Sequence, residues 1–135
     1  MAKKTWAQKM ESGGDPEIET AAKDFSWVKA GTRILILNPR IVRDRVAKLG
    51  VGEFKTPAEL REEWAGEYGA DMTCPLTVGI FLRIVSEAAW DEHLAGAPLD
   101  SVTPFWRVVD PKSPLAKKLR CGQEFLAEMR AREAA

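Results

Sequence analysis

The stretch TPAELREEWAGEYGADMTCPLTVGIFLRIVSEAAWDEH, residues 56–93, carries two helix starts in tandem. Thr56-Pro57-Ala58-Glu59 is a capping box. The threonine hydroxyl accepts from the amide three residues on, the glutamate reaches back, and proline takes a first-turn position whose amide needs no partner. Leu60 and Trp64, four apart, give this helix an apolar stripe, and Gly66 to Gly69 end it. Thr73 before Cys74-Pro75 is a second cap-then-proline start. The helix it opens is expected from about Pro75 to His93, with Leu76, Ile80, Phe81, Ile84, Val85 and Ala88 turned inward. Two capped helices joined by a short glycine-bearing turn suggest a helix-turn-helix, and a plain small α+β domain has the same element order.

Upstream, Arg33 to Leu37 (RILIL) is a compact apolar run bounded by Gly31 and Asn38, as in a strand. Asn38-Pro39 is an N-cap followed by proline, and Ile41, Val42, Val46 and Leu49 form the core stripe of the helix it starts. Downstream, Val102 to Val109 (VTPFWRVV) has the composition of a strand, with Pro104 marking an edge or irregular start. It would be the wing. Ser113-Pro114 opens a last helical region, clearest from Gln123 to Glu133. Residues 1–31 form an arm. In it Trp6 and Met10 share one face of a short helix, and Ser12-Gly13-Gly14-Asp15-Pro16 breaks that helix. With Phe25 and Trp27 the arm is too aromatic for a disordered segment and is expected to pack on the domain. The fold class is α+β, mainly α: a winged helix-turn-helix over 32–135 with an N-terminal arm over 1–31.

The chain has 135 residues, 20 basic and 20 acidic, and is 45% hydrophobic and 30% charged, the composition of one ordinary globular domain. That excludes a disordered tail, a collagen-like chain and a disulfide scaffold. No apolar run approaches the roughly 20 residues that span a bilayer. The lysines of Met1 to Lys9 have no apolar stretch behind them, so neither a signal peptide nor a membrane partner is expected. Two cysteines, Cys74 and Cys121, fit reduced thiols in a cytoplasmic protein, and a monomer is expected.

Zero net charge argues against a nucleic-acid binder driven by bulk charge, yet the charge is segmented. Residues 31–50 hold Arg33, Arg40, Arg43, Arg45 and Lys48 against Asp44 alone. Residues 101–135 are also basic, while 51–72 and 73–100 are acidic. The predicted recognition helix has Arg83 against Glu87, Asp91 and Glu92, a poor footprint for DNA.

Four further features share a frame. Ile41 to Leu49 followed by Val51-Gly52-Glu53-Phe54-Lys55-Thr56 has the form of an opening helix and a proline-x-glycine-x-valine-threonine turn. Val78-Gly79 matches the tail of an Arg-Ala-Val-Gly motif. Pro104-Phe105-Trp106-Arg107-Val108-Val109 matches the frame of Pro-Cys-His-Arg-Val-Val, and Gly122-Gln123 through Arg132 matches a closing helix. In these, Pro39 to Glu133 resembles the C-terminal DNA-binding domain of the 6-O-alkylguanine-DNA alkyltransferases and of the non-enzymatic alkyltransferase-like proteins. It is also similar to a short subgroup of that family with a Thr-Cys-Pro-Leu-Thr helix start and a Thr-Pro-Phe/Tyr-Trp-Arg segment. The resemblance implies a winged-helix domain that binds duplex DNA, recognises alkylated guanine for DNA repair signalling, and works with a repair-protein partner.

The departures bear on chemistry. Alkyl transfer to protein needs a thiolate and a neighbouring base. Phe105 stands where that cysteine belongs and Trp106 where the histidine belongs, so methylated-DNA-protein-cysteine methyltransferase activity is not expected at this motif. Leu76 replaces the intercalating arginine. A leucine can wedge between bases but cannot make the arginine's hydrogen bonds. Pro57 stands where a tyrosine is expected.

By that resemblance Thr73, Leu76 and Thr77 enter the groove, Arg83 and Arg107 contact DNA, and Pro104, Phe105 and Trp106 line a lesion pocket where a flipped base stacks. The plainer alternatives are a core role for Phe105 or Trp106 and a structural salt bridge for Arg107. Cys74, at a helix start where unpaired amides favour an anion, is a weak candidate nucleophile. His93 is roughly 28 Å along the same helix and cannot serve it as a base. Cys121 follows the basic stretch Lys117-Lys118-Leu119-Arg120, which could activate it. Two cysteines and one histidine without close spacing make no zinc site, and neither metal nor cofactor is expected. Three readings stay open: a non-enzymatic DNA-binding protein, a winged-helix protein-interaction module without DNA binding, and a cysteine alkyltransferase acting through Cys74.

Overall fold

A computed structural model describes residues 3–134. β2 (Arg33–Ile36) is the middle strand of a three-stranded sheet, with Leu35 fully buried. β1 (Glu17–Thr20) pairs with it antiparallel, Ile18 opposite Leu35. β3 (Met72–Thr73) pairs parallel on the other side, Leu35 opposite Thr73. β1 was invisible in the sequence because EIET holds one apolar residue, and an edge strand with one wet face needs no more.

The helices start where their caps predict. α2 (Pro39–Ala47) is capped by Asn38, whose Oδ1 accepts from the Ile41 amide at 3.0 Å. α3 (Pro57–Tyr68) has both arms of its capping box and ends at Gly69, whose φ of 69° is the left-handed value that favours glycine. α4 (Pro75–Leu94) begins after Cys74, which makes no side-chain cap bond. Thr73 is therefore no cap; it is 2% exposed, and its hydroxyl donates to the Arg61 carbonyl at 2.8 Å. α5 (Pro114–Lys118) is capped by Ser113, and α6 (Gln123–Ala134) closes the described chain.

Two apolar clusters meet along α4. Leu35, Leu37, Val42, Val46, Leu60, Trp64, Val78, Leu82 and Val85 form the first. Ala89, Val102, Phe105, Trp106, Val109, Leu126 and Met129 form the second. The inward face of α4 differs from expectation in its first turns. Ile84, Val85 and Ala88 are buried, but Leu76 is 72% exposed and Ile80 51%. Val78, Leu82, Val85 and Ala89 make an equally regular stripe at three- and four-residue spacing, and packing against α2 and α1 selects that one.

The expected wing strand over 102–109 is absent. Short 3₁₀ turns at Leu99–Ser101 and Phe105–Arg107 take its place, closed by Arg107 N–H to the Pro104 carbonyl at 3.0 Å and Val109 N–H to the Phe105 carbonyl at 2.9 Å. Pro104 offers no amide to a ladder, and the segment's β-branched residues find a core instead of a partner strand.

The N-terminal segment is woven into the domain. α1 (Trp6–Met10) lies on α4 with Met10 buried, Arg40 donates to the carbonyls of Met10, Ser12 and Gly13, and β1 completes the sheet. A boundary at residue 31 would cut between β1 and β2.

Phe105→Ala should lower the unfolding free energy by about 3–5 kcal/mol, as loss of a fully buried aromatic does. Leu76→Ala should change it by less than about 0.5 kcal/mol. Urea titrations of the two variants check this contrast.

Candidate nucleic-acid interface

The face that packing leaves open on α4 is one wall of a groove of about 530 Å³. Pro75, Leu76, Gly79, Ile80 and Arg83 line it from α4, Trp6 and Lys9 from α1, and Leu115 and Lys118 from α5. Gly79 has open space where a side chain would begin, so its backbone forms a bare stretch of floor. Three cations border the groove and, among the described residues, no carboxylate does. Lys9 Nζ sits 4.2 Å from the centre of the Trp6 ring, and the Arg83 guanidinium carbon 5.5 Å from it. Arg83 Nε is buried with no hydrogen-bond partner, an orphaned donor of the kind native structures rarely leave unused.

Charge on α4 is divided by its length. Its acids lie in the second half, where Glu87, 1% exposed, accepts from Arg120 Nε at 3.0 Å and Asp91 accepts from Arg120 Nη2 at 2.7 Å. The first half meets Lys9 and Lys118, brought in from segments far away in sequence. The poor footprint counted along the chain becomes a locally basic one in space. Lys9, Lys118 and Trp6 escaped sequence reasoning for that reason, although Lys117-Lys118 after a capped helix start was visible.

The predicted site residues are scattered. Leu76 stands out into solvent on the first turn, and Thr77, half-buried beside it, turns its hydroxyl to the Cys74 carbonyl at 3.3 Å. Arg83 lies in the groove. Thr73 belongs to the sheet and is not available to a ligand. Cys74 is half-buried at the start of α4. Cys121 is not activated: burial, with Glu87 nearby, pushes its thiol up to about 11, and the adjacent Arg120 is engaged by Glu87 and Asp91. No group of three His, Cys, Asp or Glu able to hold a metal occurs among the described residues.

The lesion pocket does not form as expected. Phe105 and Trp106 are 1% and 2% exposed and pack against Phe125, with ring centres 6.1 and 6.2 Å away. Pro104, Trp106 and Arg107 border a groove of about 450 Å³ but Phe105 does not, so the two rings do not wall one cavity together. Arg107 is held too. Its Nε and Nη2 donate to the two Glu133 oxygens at 2.8 and 2.9 Å, and Nη1 donates to the Leu49 carbonyl at 2.6 Å. The same carboxylate accepts from Trp106 Nε1 at 2.7 Å and the Gly52 amide at 3.0 Å. Burial alone would raise the Glu133 carboxyl. The hydrogen bonds from Arg107, the Gly52 amide and Trp106 override it and hold the group down at about 2.

No family model, curated protein or solved structure matches this chain.

With its pKa depressed from 4.5 to about 2, Glu133 contributes stability that is complete above pH 4.5 and lost as pH falls through 2. Glu133→Gln leaves the Arg107 charge buried and should cost about 3 kcal/mol at pH 7. Its deficit relative to the unaltered protein should shrink between pH 4.5 and 2, and urea midpoints across that range measure it.

Proposed function

We propose that this protein is a non-enzymatic duplex-DNA-binding protein of the alkyltransferase-like kind, which meets DNA with the first half of α4. The observation that carries the reading is the exposed Leu76 beside a groove bordered by Lys9, Arg83 and Lys118 and, among the described residues, by no carboxylate. Leu76 sits at the position of the family's intercalating arginine, where an apolar wedge can enter a base step. Cations from α1, α4 and α5 surround it and suit phosphates on either side of that step. The Pro-x-x-Arg-Val-Val frame serves the fold here. Phe105 and Trp106 are core, neither can take an alkyl group, and Cys74 has no base beside it in sequence. Binding in this reading does not distinguish alkylated from plain guanine through those two rings.

The exposed Ile80 favours a second reading, a protein-interaction module, since phosphate contacts have no use for it.

Fluorescence anisotropy with labelled duplexes containing 6-O-methylguanine or plain guanine separates the readings. Both duplexes should bind alike. Log affinity should fall with log salt with a slope of about −3, as for three released counterions. Leu76→Asp should weaken binding at least about tenfold by placing a carboxylate at the wedge. The intact mass should stay unchanged after incubation. No binding to either duplex at low salt overturns the proposal and leaves the protein-interaction reading. A methyl adduct that disappears in Cys74→Ser would establish an enzyme instead.

A further inference from the structure

Between β1 and β2 the chain makes a second, smaller hairpin. Phe25 and Val28 exchange both backbone hydrogen bonds, at 2.9 and 2.8 Å, so Ser26 and Trp27 form a two-residue connection. Ser26 has φ 50°, the left-handed region that a side chain makes unfavourable and that two-residue hairpins normally give to Gly or Asn. The loop around it is braced. Asp24 Oδ1 accepts from the Ala30 amide at 2.8 Å, and the Ala21 amide and carbonyl bond Thr32 and Gly31 at 2.9 and 2.8 Å. What this braced, strained turn holds outward is apolar: Phe25 is 51% exposed and Trp27 67%. Strain that displays aromatic rings to water serves no packing purpose, and backbone outliers of this sort cluster at ligand contacts.

Position narrows what the rings meet. Trp27 and Pro75 line one groove of about 380 Å³, and Pro75 also lines the groove beneath Leu76. The loop thus stands across the first turn of α4 from the candidate interface. The groove between them carries Arg61, Glu62 and Asp71, so charge that attracts an anion comes from the loop itself, where Lys23 and Lys29 are exposed. Lys29 has only a loose pairing, 3.7 Å, with Asp24.

We infer that the 21–32 loop is a second nucleic-acid contact, in which Trp27 stacks on a base exposed beside the step that Leu76 opens. Lys23 and Lys29 lie on the neighbouring phosphates. The inference rests on the DNA reading of α4 and adds to it a stacking platform from the loop between β1 and β2. Such stacking tolerates any base, because every base has a π-face.

The test compares the full chain with Trp27→Ala, Trp27→Phe and Leu76→Asp on one labelled duplex at low salt. Trp27→Ala should weaken binding about tenfold, and Trp27→Phe, which keeps a ring, should stay within about threefold. Tryptophan emission should be quenched on binding in the unaltered chain and less so in Trp27→Phe. Both variants replace an exposed side chain, and unchanged far-UV circular dichroism confirms that they fold. Equal affinity of Trp27→Ala and the unaltered chain, with binding lost in Leu76→Asp, overturns the loop assignment and leaves the α4 reading intact. Absence of binding by the unaltered chain overturns both.

Discussion

The ion pair between Arg107 and Glu133 ties together three parts of the chain that lie far apart in sequence. Its two side chains are 12% and 9% exposed, and every oxygen of the carboxylate is occupied. One end fastens the last turn of α6. The other fastens the 3₁₀ turn at Phe105–Arg107, and through Gly52 and Leu49 the pair grips the connection between α2 and α3. Such a pair contributes little compared with apolar side chains of the same shape, yet it cannot lose one member cheaply. Its role is to fix an arrangement. With Arg107 fixed, Phe105 and Trp106 have one place to go, the second apolar cluster, and the motif they belong to becomes a structural device.

α4 then carries the consequences. Its second half is sealed by the second cluster and by Arg120 clamped on Glu87 and Asp91. Its first half turns Val78 and Leu82 into the first cluster and leaves Leu76 and Ile80 in the open. A single helix is thereby divided into an acid-bearing half and a half whose outer face is apolar and edged with cations. The zero net charge of the whole chain averages over such regions and describes neither.

Much of this was legible in the sequence, and the parts that were share a physical cause. β2, α2, α3 and α4 announce themselves through local chemistry: a β-branched run, Asn38-Pro39, the Thr56 to Glu59 box, Cys74-Pro75. Caps act over three residues and need nothing distant. The misreadings all turn on distant partners. Val102 to Val109 has a strand's composition, and only the absence of a neighbouring strand makes it coil into turns. Leu76 and Ile80 fit one helical stripe as well as Val78 and Leu82 fit another, and the choice is made by what α2 and α1 present. For the candidate site the sequence pointed to Leu76 and Arg83 but missed Trp6, Lys9 and Lys118, which join them only through packing. In sequence Arg107 suits a phosphate contact or a salt bridge, and Glu133, 26 residues on, decides it.

β1 has a further bearing on how copies of this protein behave together. It is the outermost strand, so one side of its backbone has no ladder partner among the described residues. An open edge of this kind is where a second sheet can add itself. β1 presents Glu17 and Glu19 there, both exposed. Two molecules approaching edge to edge would bring four carboxylates together at neutral pH, and that repulsion keeps the sheet from growing beyond its own chain.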